Sequence, residues 1–139
     1  MLSALRRVGL PALATQTQPA DKTLVNFDTI FFTEPRDVSL TLTILGQAVD
    51  VVATPVSYRW HFGDGASQEG SDPGAEYPDL RITHVYAKAG VTVSPSVDVT
   101  YQGRYRVDGG DWVQIPDTLT VAGTPVDLEV LSATPHLVG

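Results

Sequence analysis

Tyr58-Arg59-Trp60-His61-Phe62-Gly63-Asp64-Gly65 is the stretch that decides how this chain folds. Tyr58, Trp60 and Phe62 share one parity, and Arg59 and His61 take the other. That period of two is the pattern of a strand with one face turned to a core. Aromatic rings dominate a small core, so Trp60 and Phe62 read as filler between two sheets. Gly63 and Gly65 let the chain leave the strand with dihedrals that a Cβ would forbid. Asp64 between them can accept hydrogen bonds from nearby amides and pin the exit turn.

Working outward, strand-like segments follow one another with turn signals between them. Residues 24–33 are rich in β-branched and aromatic side chains and end at Glu34-Pro35-Arg36-Asp37. Val38, Leu40, Leu42 and Ile44 then alternate with Ser39, Thr41 and Thr43, which predicts a core face and a hydroxyl face. Gly46-Gln47 reads as a short turn into a returning strand at residues 49–53, with a separate strand over 57–62. Residues 63–79 show no periodicity and are dense in Gly, Asp, Glu and Ser, so a long exposed loop is expected there. Loops of that length in compact domains often carry function. Residues 81–86 read as a strand with Ile82, His84 and Tyr86 on one side, and Gly90 turns the chain into a Val-rich run over 91–101. Pro95 inside that run cannot donate to a ladder and implies an edge or a bulge. Residues 104–107 and 111–115 flank Asp108-Gly109-Gly110, a strong hairpin signal. A last pair of strands is expected at 118–121 and 126–130. About eight short strands without a confident helix point to an all-β sandwich.

The 139 residues fit one domain with a real core. A net charge of −7 repels phosphate backbones and argues against a nucleic-acid partner. No apolar run approaches a membrane span. With no cysteine, disulfides and thiolate metal sites are excluded, and the redox compartment stays open. Residues 1–22 read as an N-terminal arm or linker ahead of a domain over 23–139. A signal remnant, a linker, or a short helical arm with Leu2, Leu5 and Val8 on one face all fit the arm. The unadorned ending at residues 133–139 fits a fragment as well as a full chain.

The Trp60–Gly65 segment, followed by Thr83-His84-Val85-Tyr86 and the Gly90 turn, resembles the PKD (polycystic kidney disease) domain. The family pattern is Trp-x-Phe-Gly-Asp-Gly, then His-x-Tyr, then a Gly turn into a Val-rich strand, and all three parts occur here in order. The likeness covers about residues 38–101. The texture of the whole chain, including Thr23-Leu24-Val25-Asn26-Phe27 and the 104–112 hairpin, is similar to PKD-containing proteins of actinobacteria. The resemblance implies an immunoglobulin-like β-sandwich of PKD type, here with an N-terminal arm and an extra C-terminal hairpin. Trp60, Phe62, Gly63, Asp64, Gly65, His84, Tyr86 and Gly90 would be its structural motif, with Tyr86 in a role like that of a tyrosine corner. His84 is expected to hydrogen-bond the Asp64 turn. Besides the additional hairpin after Tyr101, which lies beyond the family's minimal unit, the chain departs from the pattern in three places. His61 stands where the family often has Asp, the loop over 66–81 is long, and Gly90-Val91-Thr92 lacks an aromatic.

For function the resemblance implies a non-catalytic binding or spacer module of an extracellular or cell-surface protein, in contact with a protein or a glycan. The contact candidates are Glu69, Asp72, Glu76, Tyr77 and Asp79 in the long loop, and Trp112 after the Gly109-Gly110 turn. Tyr77 and Trp112 could stack on sugars or anchor a protein, and Trp112 could instead cover the base of its own hairpin. The alternative is a structural subunit of a surface filament or phage particle that docks on a neighbour through the arm. No cofactor is expected. Calcium is the one ion that Asp64, Glu69, Asp72, Glu76 and Asp79 suggest, without any Asp-x-Asp-x-Asp-Gly run. His61 and His84 lie on opposite faces and lack a third zinc ligand. Gly65-Ala66-Ser67-Gln68-Glu69-Gly70 has the wrong spacing for a nucleophile elbow, so no catalytic residue is assigned.

Overall fold

Across residues 9–132, which the computed structural model describes, every regular element is a strand. In chain order they are β1 (Gln16–Gln18), β2 (Lys22–Leu24), β3 (Asp28–Phe32), β4 (Val38–Ile44), β5 (Gln47–His61) and β6 (Ser67–Gly70). Then come β7 (Thr83–Val85), β8 (Val91–Val93), β9 (Ser96–Val107), β10 (Val113–Val121) and β11 (Leu128–Leu131). The larger sheet runs β10-β9-β5-β4, with β6 also paired to β5. Two three-stranded sheets, β1-β3-β7 and β2-β11-β8, make up the rest. The core cluster takes Val51, Trp60, Val97, Val99 and Tyr101 from the larger sheet, Phe31, Val93, Leu128 and Val130 from the smaller ones, and Tyr86 from just after β7. It therefore lies between two layers. The protein is an all-β, immunoglobulin-like sandwich.

The spine is β5, which continues through the sites expected to be two strands. Its register against β9 shifts between Pro55 and Ser57. Pro55 has no N–H to give to the ladder, so the strand bulges there and carries on. Tyr58, Trp60 and Phe62 are buried, and Arg59 and His61 sit on the other face, as the alternation predicts.

Four other expectations are corrected. The run over 24–33 is two strands, because Asn26 at φ 65 turns the chain between β2 and β3. The run over 91–101 is also two, with Pro95 at the point where the chain passes from β8 in one sheet to β9 in another. Residues 104–107 are not a separate strand but the end of β9. The last two segments are not hairpin partners: β10 pairs β9, while β11 crosses to lie between β2 and β8.

The stretch over 15–22 is extended and engaged with the sandwich. Leu13 is buried in the core cluster, β1 pairs with β3, and Lys22 pairs with Glu129. The helical arm considered for Leu2, Leu5 and Val8 lies outside the described residues, as do residues 133–139. No described helix is long and apolar enough to cross a membrane.

Candidate functional site

The signature residues meet at the end of β5. Trp60 is 1% exposed, and Phe31 reaches both aromatic rings, 5.0 Å from Phe62 edge-on and 6.2 Å from Trp60. His84 stacks flat on Phe62 at 4.2 Å and meets Tyr86 edge-on at 4.8 Å. The Tyr86 hydroxyl donates to the Phe62 carbonyl at 2.7 Å. This bond spans 24 residues and ties the segment after β7 to the end of β5, whereas a tyrosine corner bonds only a few residues upstream. Burial pushes the Tyr86 phenol up, and the Asp64 charge adds to it.

The turn itself is locked from both sides. The Ala66 amide donates to Asp64 Oδ1 at 3.0 Å, and the Phe62 amide donates to the Ala66 carbonyl at 3.1 Å. Asp64 Oδ2 lies 2.7 Å from His84 Nε2, the contact expected from the sequence. An ionised carboxylate only accepts, so Nε2 carries the proton of this bond. Partial burial pushes the Asp64 carboxyl up. The His84 bond, the Ala66 amide and the His84 charge outweigh this and hold it below its ordinary value. Gly63 has φ 88, and a Cβ there would meet the Ser94 amide nitrogen at 2.9 Å, so glycine is required on two counts. Gly90, at φ 76, donates its amide to Val130 at 2.8 Å.

The segment expected to be a long featureless loop is pinned at several points. Ser67–Gly70 forms β6 and pairs with residues 58–61 of β5, an exposed polar strand without the apolar alternation that marks strands in sequence. Asp72 holds Arg81 through both oxygens, at 2.8 and 3.0 Å, and accepts the Gly74 amide at 2.9 Å. The Thr33 amide donates to Pro73, and the Tyr77 amide to Gln18 Oε1 at 2.6 Å. Glu76 and Asp79 close a turn on which Tyr77 stands 73% exposed, with Leu80 exposed beside it. Glu69 faces Arg59 at 3.4 Å. The Glu69 and Asp72 carboxylates thus have separate partners. Among the described residues no group of three or more His, Cys, Asp or Glu is placed to hold a metal. His61 pairs with Asp98 at 2.7 Å, away from His84.

The second region is the outer face of the larger sheet around the β9–β10 hairpin. Trp112 is 40% exposed there, and the guanidiniums of Arg104 and Arg106 lie 4.8 and 4.7 Å from its ring centroid. The indole rests on its own hairpin, with its π surface engaged by cations. Arg106 also donates to Asp50 at 2.8 Å, and Thr41 donates to the same carboxylate at 2.7 Å. Those two bonds, Arg106 first, hold the Asp50 carboxyl below its ordinary value. Arg104, Arg106 and Asp50 went unmarked in the sequence. Parity alone puts Arg104 and Arg106 on one face of their strand, but that Trp112 covers them depends on the turn and its register, which the sequence does not reveal.

The signature residues other than Gly90 therefore meet in one region, while Glu69, Asp72, Glu76, Tyr77, Asp79 and Trp112 are dispersed over a loop and a hairpin. The family model of the PKD domain matches residues 27–102, more than half of the chain and including the whole signature. No curated protein and no solved structure matches the chain.

Proposed function

The chain belongs to the PKD domain family, and on that premise we propose that it is a binding or spacer module of an extracellular or surface protein that holds a protein partner on the Tyr77 turn. PKD domains are in general non-catalytic modules for protein interaction, typical of extracellular and surface proteins. The observation that carries the reading is an exposed aromatic on a fixed turn. Tyr77 and Leu80 stand in solvent, while Asp72–Arg81, Gln18 and Thr33 hold the backbone beneath them. A turn already ordered loses little entropy on binding, which is what an anchor needs. Glu76 and Asp79 beside it favour a partner with a basic rim around an apolar pocket.

A glycan partner is the weaker reading, since sugars stack on free ring faces and the Trp112 ring already carries two guanidiniums. The assembly-subunit reading needs a free arm. From Leu13 on, the described chain is engaged in its own sandwich, which leaves this reading without a free segment among the described residues from Leu13 onward.

The experiment places a photo-crosslinking amino acid at Tyr77 in the producing cells, with Ser67 as the control site. A protein adduct from position 77 and none from 67 supports the reading. A glycan array bound by the wild type and lost in Trp112→Ala but kept in Tyr77→Ala would replace it.

A further inference from the structure

We propose that the free edge of β4 is a self-association surface, on which a second copy of this chain adds its own β4 antiparallel about a two-fold axis at Thr41. The inference does not depend on the function proposed for the Tyr77 turn.

β4 is a seven-residue edge strand, Val38-Ser-Leu-Thr-Leu-Thr-Ile44, paired with β5 along its whole length with no register shift and, among the described residues, with nothing on its other side. A regular, uncharged edge is a template for another strand unless something blunts it. The other edges of the larger sheet are blunted. β10 carries Pro116, Asp117 and a register shift between Gln114 and Thr118, and β6 has only four residues, including Glu69. β4 has no proline, no bulge and no ionisable side chain.

The hairpin fixes which groups point outward. Ile44 pairs with Gln47 across the two-residue turn Leu45-Gly46, whose φ values are 50 and 75. Such a turn is closed by a hydrogen-bonded pair, and bonded and non-bonded pairs then alternate. The N–H and C=O groups of Thr43, Thr41 and Ser39 therefore point away from β5. Ala48, opposite Thr43, agrees: its N–H and C=O bond Asp108 on the far side. A two-fold at Thr41 sets Thr41 against Thr41 and Ser39 against Thr43 of the second copy, and each facing pair exchanges both of its bonds. The same register sets Leu40 against Leu42 and Val38 against Ile44, so apolar meets apolar and hydroxyl meets hydroxyl.

The self-complementary register selects this occupant, and charge permits it. The chain carries a net −7, yet its β4 is neutral, so a second β4 brings no like charge into register. Two further features fit. Leu40 is 38% exposed although its β5 partner Val51 is fully buried, so the core face of β4 is left half-covered. Leu45 is 97% exposed at positive φ, in a turn that favours Asn, Asp or Gly. In the two-fold register it lands beside Pro35 and Asp37 of the second copy. One added strand pair per copy is below the roughly 1,200 Å² of a standard interface, so the dimer is expected to be weak and concentration-dependent.

The test is sedimentation velocity on the full, unlabelled chain from about 10 μM to about 1 mM, a span that brackets weak dimers, with amide exchange at both ends. The expected result is a reversible dimer, with exchange of the Ser39, Thr41 and Thr43 amides slowed at high concentration. Ser39→Lys with Thr43→Lys sets lysine against lysine across the axis and should weaken the dimer at least about tenfold, whereas Ser39→Lys with Thr43→Glu sets lysine against glutamate and should restore it. Thr41→Pro, which removes an outward N–H, should act like the double lysine while circular dichroism stays native. A wild type that remains monomeric throughout overturns the proposal. So does a dimer that persists in the double-lysine variant, which would place the contact elsewhere or on another strand.

Discussion

The two tryptophans occupy opposite sides of one sheet and teach opposite lessons. Trp60 is buried under Phe31 beside the Asp64 turn, in the part of the chain that matches the family. Trp112 lies beyond the matched residues, on the outer face, under Arg104 and Arg106. One ring holds two layers together and is closed to any partner. The other covers a hairpin and stays partly in solvent. Family signature and accessible chemistry are thus separated in this molecule, and what the signature identifies is the scaffold.

The largest effect that would break this contrast is on stability. Trp60→Ala should cost about 3–5 kcal/mol, as large aromatic truncations in cores do, and urea unfolding measures it. A loss equal to that of Trp112→Ala would erase the distinction. Next comes Gly63→Ala, which meets both the positive φ and the Ser94 backbone. It should cost more than Gly65→Ala, where φ is 93 but the space is open and only the backbone strain of about 1–2 kcal/mol is at stake. Equal melting temperatures for the two variants would show that the close approach to Ser94 is not felt. Tyr86→Phe removes the donor to the Phe62 carbonyl and should cost about 1–2 kcal/mol, with the buried acceptor left unpaired.

The Asp64–His84 bond sharpens the comparison through pH. The folded Asp64 carboxyl sits below its ordinary value, so its stabilisation is present above the unfolded value of about 3.9 and is lost as pH falls through the folded one. Asp64→Asn should therefore lower the melting temperature at neutral pH and flatten its decline below about pH 4. Parallel curves for the two proteins would remove Asp64 from the acid response. Trp112→Ala gives up two exposed cation–π contacts worth about 0.5–1 kcal/mol each, well short of the Trp60 loss.

The region read best from sequence was the shortest in range. Alternation placed Tyr58, Trp60 and Phe62 inward and Arg59 and His61 outward, because side-chain direction in a strand depends only on parity. Turn chemistry put Asp64 where it accepts the Ala66 amide, two residues on. β6 escaped notice because Ser-Gln-Glu-Gly has no apolar side to alternate, its pairing being held by backbone bonds to β5. Calcium was suggested only by carboxylates that are near in sequence. Asp64, Glu69 and Asp72 have separate partners, His84, Arg59 and Arg81, which spacing along the chain does not reveal.

By itself the sequence determined that the chain is a β-sandwich built on the Trp60–Gly65 strand end, since periodicity, glycine and turn residues act over a few positions. Tertiary structure decided which strands are neighbours: that β11 lies between β2 and β8, that Pro95 marks a change of sheet, and that Arg106 reaches Asp50 across 56 residues. The reason is physical. A strand's alternation states that one face must be buried, but its backbone groups bond equally well to any other strand. The partner is chosen only when all the faces are packed at once.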